Sequence, residues 1–67
     1  MFSLEEPVRI SLPGTYYHNQ IAWVNRIFVC PQQSTAFYAL YNHRGNLHRL
    51  FKTEELSSLR YLKRKVG

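Results

Sequence analysis

An all-β fold of about five short strands is what this sequence predicts, and three observations carry the prediction. Segments dense in β-branched and aromatic residues recur from Val8 to Phe51. Turn signals at Pro13-Gly14, Cys30 to Ser34 and Asn42 to Asn46 cut the chain into short pieces. The chain has 67 residues, so one small domain holds everything, and a domain of that size buries only about 60% of its unfolded surface. Short strands joined by tight turns in so little chain favour a small barrel or sandwich.

The first strand is expected over Val8 to Leu12, where Val8, Ile10 and Leu12 alternate with Arg9 and Ser11. The second runs from Gln20 to Val29. Its alternation breaks, because Trp23-Val24 and Ile27-Phe28-Val29 place apolar groups on both faces, as a bulge or a strand shared between two sheets requires. Ala36 to Tyr41 and Leu47 to Phe51 supply the third and fourth strands, with Asn42 to Asn46 as the hairpin loop. The chain then changes character. Thr53 is a good N-cap residue followed by Glu54 and Glu55, which suits a helical start. Two continuations fit: one short helical turn to about Leu59 and a last strand in which Leu62, Arg64 and Val66 alternate with Tyr61, Lys63 and Lys65, or a single amphipathic helix on Leu56, Leu59, Leu62 and Val66. Spacing alone does not separate them.

Composition narrows the functions. At 45% hydrophobic and 15% aromatic the chain is too rich in core-forming residues for a disordered tail, and too short to wall off a deep active site. The single cysteine, Cys30, makes no internal disulfide and fits a reducing compartment. Glu5 and Glu6 stand where a signal peptide needs basic and apolar residues, and the apolar runs Ile21 to Val24 and Ile27 to Cys30 are too short to span a bilayer. The expected location is cytoplasmic, either free or peripheral to a membrane complex. One domain over residues 1–67 is expected, with its core over about 8–60 and a basic C-terminal segment over 60–67.

The net charge of +5 is uneven. Residues 1–48 carry three arginines against two glutamates, a balance of +1, whereas residues 49–67 carry six cations against Glu54 and Glu55, a balance of +4. A positive end of this kind favours an anionic partner.

Beyond composition, Thr15-Tyr16-Tyr17, Val24 and Arg26, the Ala36 to Leu40 strand and Arg49-x-Phe51 leading to Glu55-Leu56 resemble the SH3-like small barrels. Within them they are similar to the ferredoxin-docking subunit S family of the photosynthetic NADH dehydrogenase-like complex, and more distantly to the variable chain of ferredoxin–thioredoxin reductase. The likeness covers residues 8–58, mostly at fold-determining positions; Asn42 to Asn46 stands where subunit S has a Gly-Asn-Trp-rich hairpin. It implies a single 3-10 turn at the acidic-Leu segment before a closing strand, which favours the first of the two C-terminal readings. It also implies a docking role.

Candidate chemistry follows from residue type. Catalysis is not expected: the acids are two adjacent glutamate pairs, there is no Asp, and Cys30 before Pro31 reads as a packed strand end. Metal binding by Cys30, His18, His43 and His48 lacks closely spaced ligand pairs, so neither metal nor cofactor is expected. Binding remains. Arg44, Arg49, Arg60, Lys63, Arg64 and Lys65 are the candidate contacts for an acidic partner or for phosphates, with Tyr16, Tyr17 and Tyr41 as aromatic contacts. The expected function is a non-catalytic adaptor docking an acidic protein, as a small subunit of a larger complex. The alternative is a nucleic-acid-binding barrel that adds Tyr38, His18 and His48 as stacking residues.

Overall fold

Alternation along each strand decides what this domain buries, and the computed structural model, which describes residues 1–60, shows the outcome. Strands β1 (Pro7–Ile10), β2 (Ile21–Cys30), β3 (Thr35–Asn42), β4 (Gly45–Lys52) and β5 (Leu56–Ser58) form one antiparallel sheet in the order β4-β3-β2-β1-β5. Its two edge strands do not pair with each other, so the sheet is unclosed. The expected all-β fold is present, with the boundaries of the first four strands shifted by one or two residues. The hairpin loop shrinks most: Asn42 pairs with Gly45, so only His43 and Arg44 lie outside the strands.

One face carries the core. Val8 and Ile10 of β1, Ala22 and Val24 of β2, Tyr38 and Leu40 of β3, and Phe51 of β4 are fully buried. A single sheet can seal side chains this completely only by curling over them, and β2 provides the bend. Its pairing with β3 shifts between Val24 and Arg26, and the extra residue, Asn25, lets Val24 and Ile27 both face inward. This bulge accounts for the broken alternation in the sequence. Tyr38 and Phe51 sit opposite each other across β3 and β4. Phe2 stands edge-on to Tyr38 at 5.3 Å, and Tyr17 stands edge-on to Phe51 at 5.4 Å. Tyr38 is therefore a core residue, a correction to its listing as a stacking candidate: its ring fills the space that a domain short of large aliphatic residues leaves open.

After β4 the chain makes a 3-10 turn at Thr53–Glu55 and passes directly into β5. The Lys52 backbone N–H donates to the Glu55 carboxylate at 2.9 Å, and the Leu56 N–H returns to the Thr53 carbonyl. Three residues suffice for such a turn. Residues 53–59 thus form neither one amphipathic helix nor a helical turn reaching Leu59; Leu56 turns inward and pairs with Ile10. The last strand expected over Tyr61 to Val66 lies outside the described residues. No helix among the described residues is long and apolar enough to cross a membrane.

The two faces predict different mutational costs. Phe51→Ala removes a fully buried ring, a loss of about 3–5 kcal/mol. A chain of 67 residues has a total stability of only about 3–10 kcal/mol, so this variant loses a large fraction of it. Phe28→Ala, on the outer face at 42% exposure, changes stability by about 1 kcal/mol or less. Urea titrations followed by circular dichroism check both; equal losses would mean that the outer face contributes as much as the core.

Candidate functional site

The connection between β1 and β2 builds one wall of an open groove. Pro13 and Gly14 turn the chain, with Gly14 at a φ of 86°. Thr15 then locks the turn, its hydroxyl donating to the Leu12 carbonyl at 2.8 Å and accepting from the Tyr17 N–H at 3.3 Å. His18 closes the loop by accepting the Leu12 N–H on Nδ1 at 3.1 Å, so His18 is a loop brace rather than a stacking surface. Asn19, at a φ of 67°, returns the chain to Ile10. Tyr17 is anchored on Phe51, and Tyr16 leans edge-on against Tyr17 at 5.6 Å while staying 74% exposed. An aromatic is thereby presented to solvent on a rigid base.

The β3–β4 turn builds the other wall. Neither His43 nor Arg44 has a positive φ, so the left-handed step falls on Gly45 (φ 116°), where a side chain would be strained. The Asn42 side-chain oxygen accepts the Arg44 N–H at 2.8 Å and fixes the turn tip. Between the walls lies an open groove of about 770 Å³. Tyr16, Tyr17 and Trp23 provide aromatic surface, and His43, Arg44 and His48 provide donors. No carboxylate among the described residues lines it. Asn25 and Asn46, hydrogen-bonded at 3.2 Å, tie the β2 bulge to the base of the hairpin.

The structure divides the residues singled out in the sequence. Tyr16, Tyr17 and Arg44 converge on the groove. Arg49 lies with its guanidinium 5.0 Å from the centre of the Phe51 ring and 3.4 Å from the Glu55 carboxylate. Tyr41 stacks at a tilt against Trp23 and donates its hydroxyl to Glu5. That hydrogen bond holds the phenolic proton and, with some burial and the charge of Glu5, pushes the Tyr41 pKa above 10.0. Arg60 pairs with Glu6 at 3.3 Å. Lys63, Arg64 and Lys65 lie outside the described residues. Cys30 ends β2, half-buried, and no group of three or more metal-binding side chains exists among the described residues. Sequence reasoning missed Trp23 as a site residue. Its signal was parity, since Ile21 and Trp23 alternate with the buried Ala22 and Val24 and must face away from the core.

No family model, no curated protein and no solved structure matches the chain. Its chemistry therefore rests on its own geometry.

Glu6 is the buried charge that holds the ends of the described chain together. Burial pushes its pKa up, but the hydroxyl of Ser58, the backbone N–H of Ser3 at 2.8 Å and the guanidinium of Arg60 outweigh burial and hold it below 4.5. A carboxyl whose pKa is lower in the folded state contributes stability that is present above its unfolded value and lost as pH falls through the folded value. Wild type should therefore exceed Glu6→Gln in stability at neutral pH, and the gap should close as pH drops below about 4.5. Urea titrations across that range check the sign; a gap independent of pH would leave the charge of Glu6 without a role. Ser58→Ala, which strips one donor from this buried acceptor, should cost about 1–3 kcal/mol at neutral pH.

Proposed function

We propose that the chain is a non-catalytic binding or adaptor module that docks an acidic protein partner, acting in the cytoplasm as a small subunit of a larger complex. The observation that carries this reading is the carboxylate-free groove, in which exposed and half-buried aromatics stand beside Arg44, His43 and His48. Tyr, Trp and Arg are the residue types enriched where interfaces hold most of their binding energy. A basic C-terminal third, with six cations against two glutamates, adds long-range attraction for an acidic surface. A domain with so thin a core also gains stability by assembling with something larger.

Protein is preferred over nucleic acid as the partner because of the cations that line the groove. Among the described residues Arg44 is the one arginine or lysine in its lining, and Arg49 and Arg60 are paired with Glu55 and Glu6. Binding to a phosphate backbone draws on several such contacts, each adding to the salt dependence.

The test is a titration of the isotope-labelled chain with a glutamate-rich peptide that has no apolar side chains. The expected result is amide shifts at Tyr16, His43 and Arg44, with about tenfold weaker binding for Arg44→Glu. Absence of those shifts, or equal binding by the variant, overturns the groove as the docking site. Parallel titrations with single-stranded and duplex oligonucleotides at low and moderate salt should show no steep salt slope; a steep slope replaces the protein reading with the nucleic-acid one.

A further inference from the structure

The outer face of the sheet, which lends Trp23 to the groove, also carries a second cluster of residues that do not line it. Directly paired residues on neighbouring strands project to the same side, so the pairs Phe28–Phe37, Arg26–Ala39, Ala39–Leu50 and Phe37–Lys52 share one face. That face is opposite the core: none of Phe28, Phe37 and Leu50 belongs to the core cluster or packs against it. Phe28 is 42% exposed and Leu50 46% exposed, with Phe37 and Ala39 half-buried between them. A solvated face of an antiparallel sheet is ordinarily polar, and a contiguous apolar patch on one commonly marks an interaction site.

We infer that this patch docks an apolar protein segment flanked by carboxylates, at a surface separate from the groove. The flanking charge sets the partner's sign. Arg26 and Lys52 lie beside the patch on the same face, and no carboxylate occurs among its pairs. The area sets the partner's size. Aromatic side chains bury about 150–250 Å² each; with more than half of Phe28 and Leu50 already covered, the patch offers a few hundred Å². A standard interface needs about 800 Å² from each partner. A second copy of this chain is thus a poor occupant, because the area is small and a two-fold pairing would bring like charges together. The chain's own residues 61–67, which include Lys63, Arg64 and Lys65, carry the same sign as the flanking cations. A short amphipathic segment with an apolar stripe bordered by Glu or Asp satisfies both constraints.

The probe is a synthetic amphipathic peptide with a leucine stripe bordered by glutamates, compared with a counterpart in which every glutamate is lysine. Titrated into the labelled 67-residue chain, the glutamate peptide should shift the amides of Phe28, Phe37 and Leu50, and the lysine peptide should not. Leu50→Ser should weaken binding by about tenfold, whereas Arg44→Glu should leave it within about twofold, since rim charges far from a contact contribute little. Arg26→Glu combined with Lys52→Glu, both exposed positions, should transfer the preference to the lysine peptide; this variant carries the test if Leu50→Ser does not fold. The inference fails if the glutamate peptide shifts nothing or shifts only residues of the groove. It also fails if the patch amides move with protein concentration alone, which would assign the surface to a second copy.

Discussion

The pairing of Tyr38 with Phe51 across β3 and β4 is the contact on which the rest of the domain depends. Both rings are fully buried, and each receives the edge of another aromatic. Phe2 brings the N-terminal segment onto Tyr38, and Tyr17 brings the β1–β2 connection onto Phe51. Edge-to-face pairs of this kind add about 0.5–1.5 kcal/mol beyond their buried area. Their larger effect is positional. The groove exists because Tyr17 packs on Phe51, and Tyr16 is presented because it leans on Tyr17.

The same ring explains why Arg49 behaves differently from Arg44. Two residues before Phe51 on the same strand, Arg49 packs its guanidinium against the ring while Glu55 holds it from the adjacent 3-10 turn. Arg44 sits at a two-residue turn whose geometry is set by Gly45 and by the Asn42 side chain, and it reaches into the groove. Two arginines in the same hairpin, one structural and one presented, differ only in what their strand register puts beside them.

Much of the architecture was legible in the sequence because its signals are local. Alternation in β1, the aromatic density of β2 and β3 and the turn chemistry at Pro13-Gly14 each depend on neighbours along the chain. The β2 irregularity was legible as a break, and the bulge between Val24 and Arg26 explains it. What escaped was long-range. Nothing near Arg60 in sequence announces that it pairs with Glu6, and nothing near Tyr41 announces Glu5. The start of β5 at Leu56 was also hidden, because two glutamates after Thr53 read equally well as a helix start. Tyr16 and Tyr17 look alike by composition, and only the fold assigns the first to solvent and the second to an anchor.

The position of β1 between β2 and β5 has a consequence for how the domain folds. Strands β2, β3 and β4 are joined in succession by short connections and can zip together as a meander from local contacts. β1 cannot be completed in that way. Its second neighbour begins at Leu56, and the register that pairs Val8 with Ser58 joins distant parts of the described chain. Until that segment docks, Val8 and Ile10 lack the partner that seals them. A chain with the meander formed and β5 undocked therefore exposes one apolar strand edge, and the hydrogen bonds between β1 and β5 complete the sheet last.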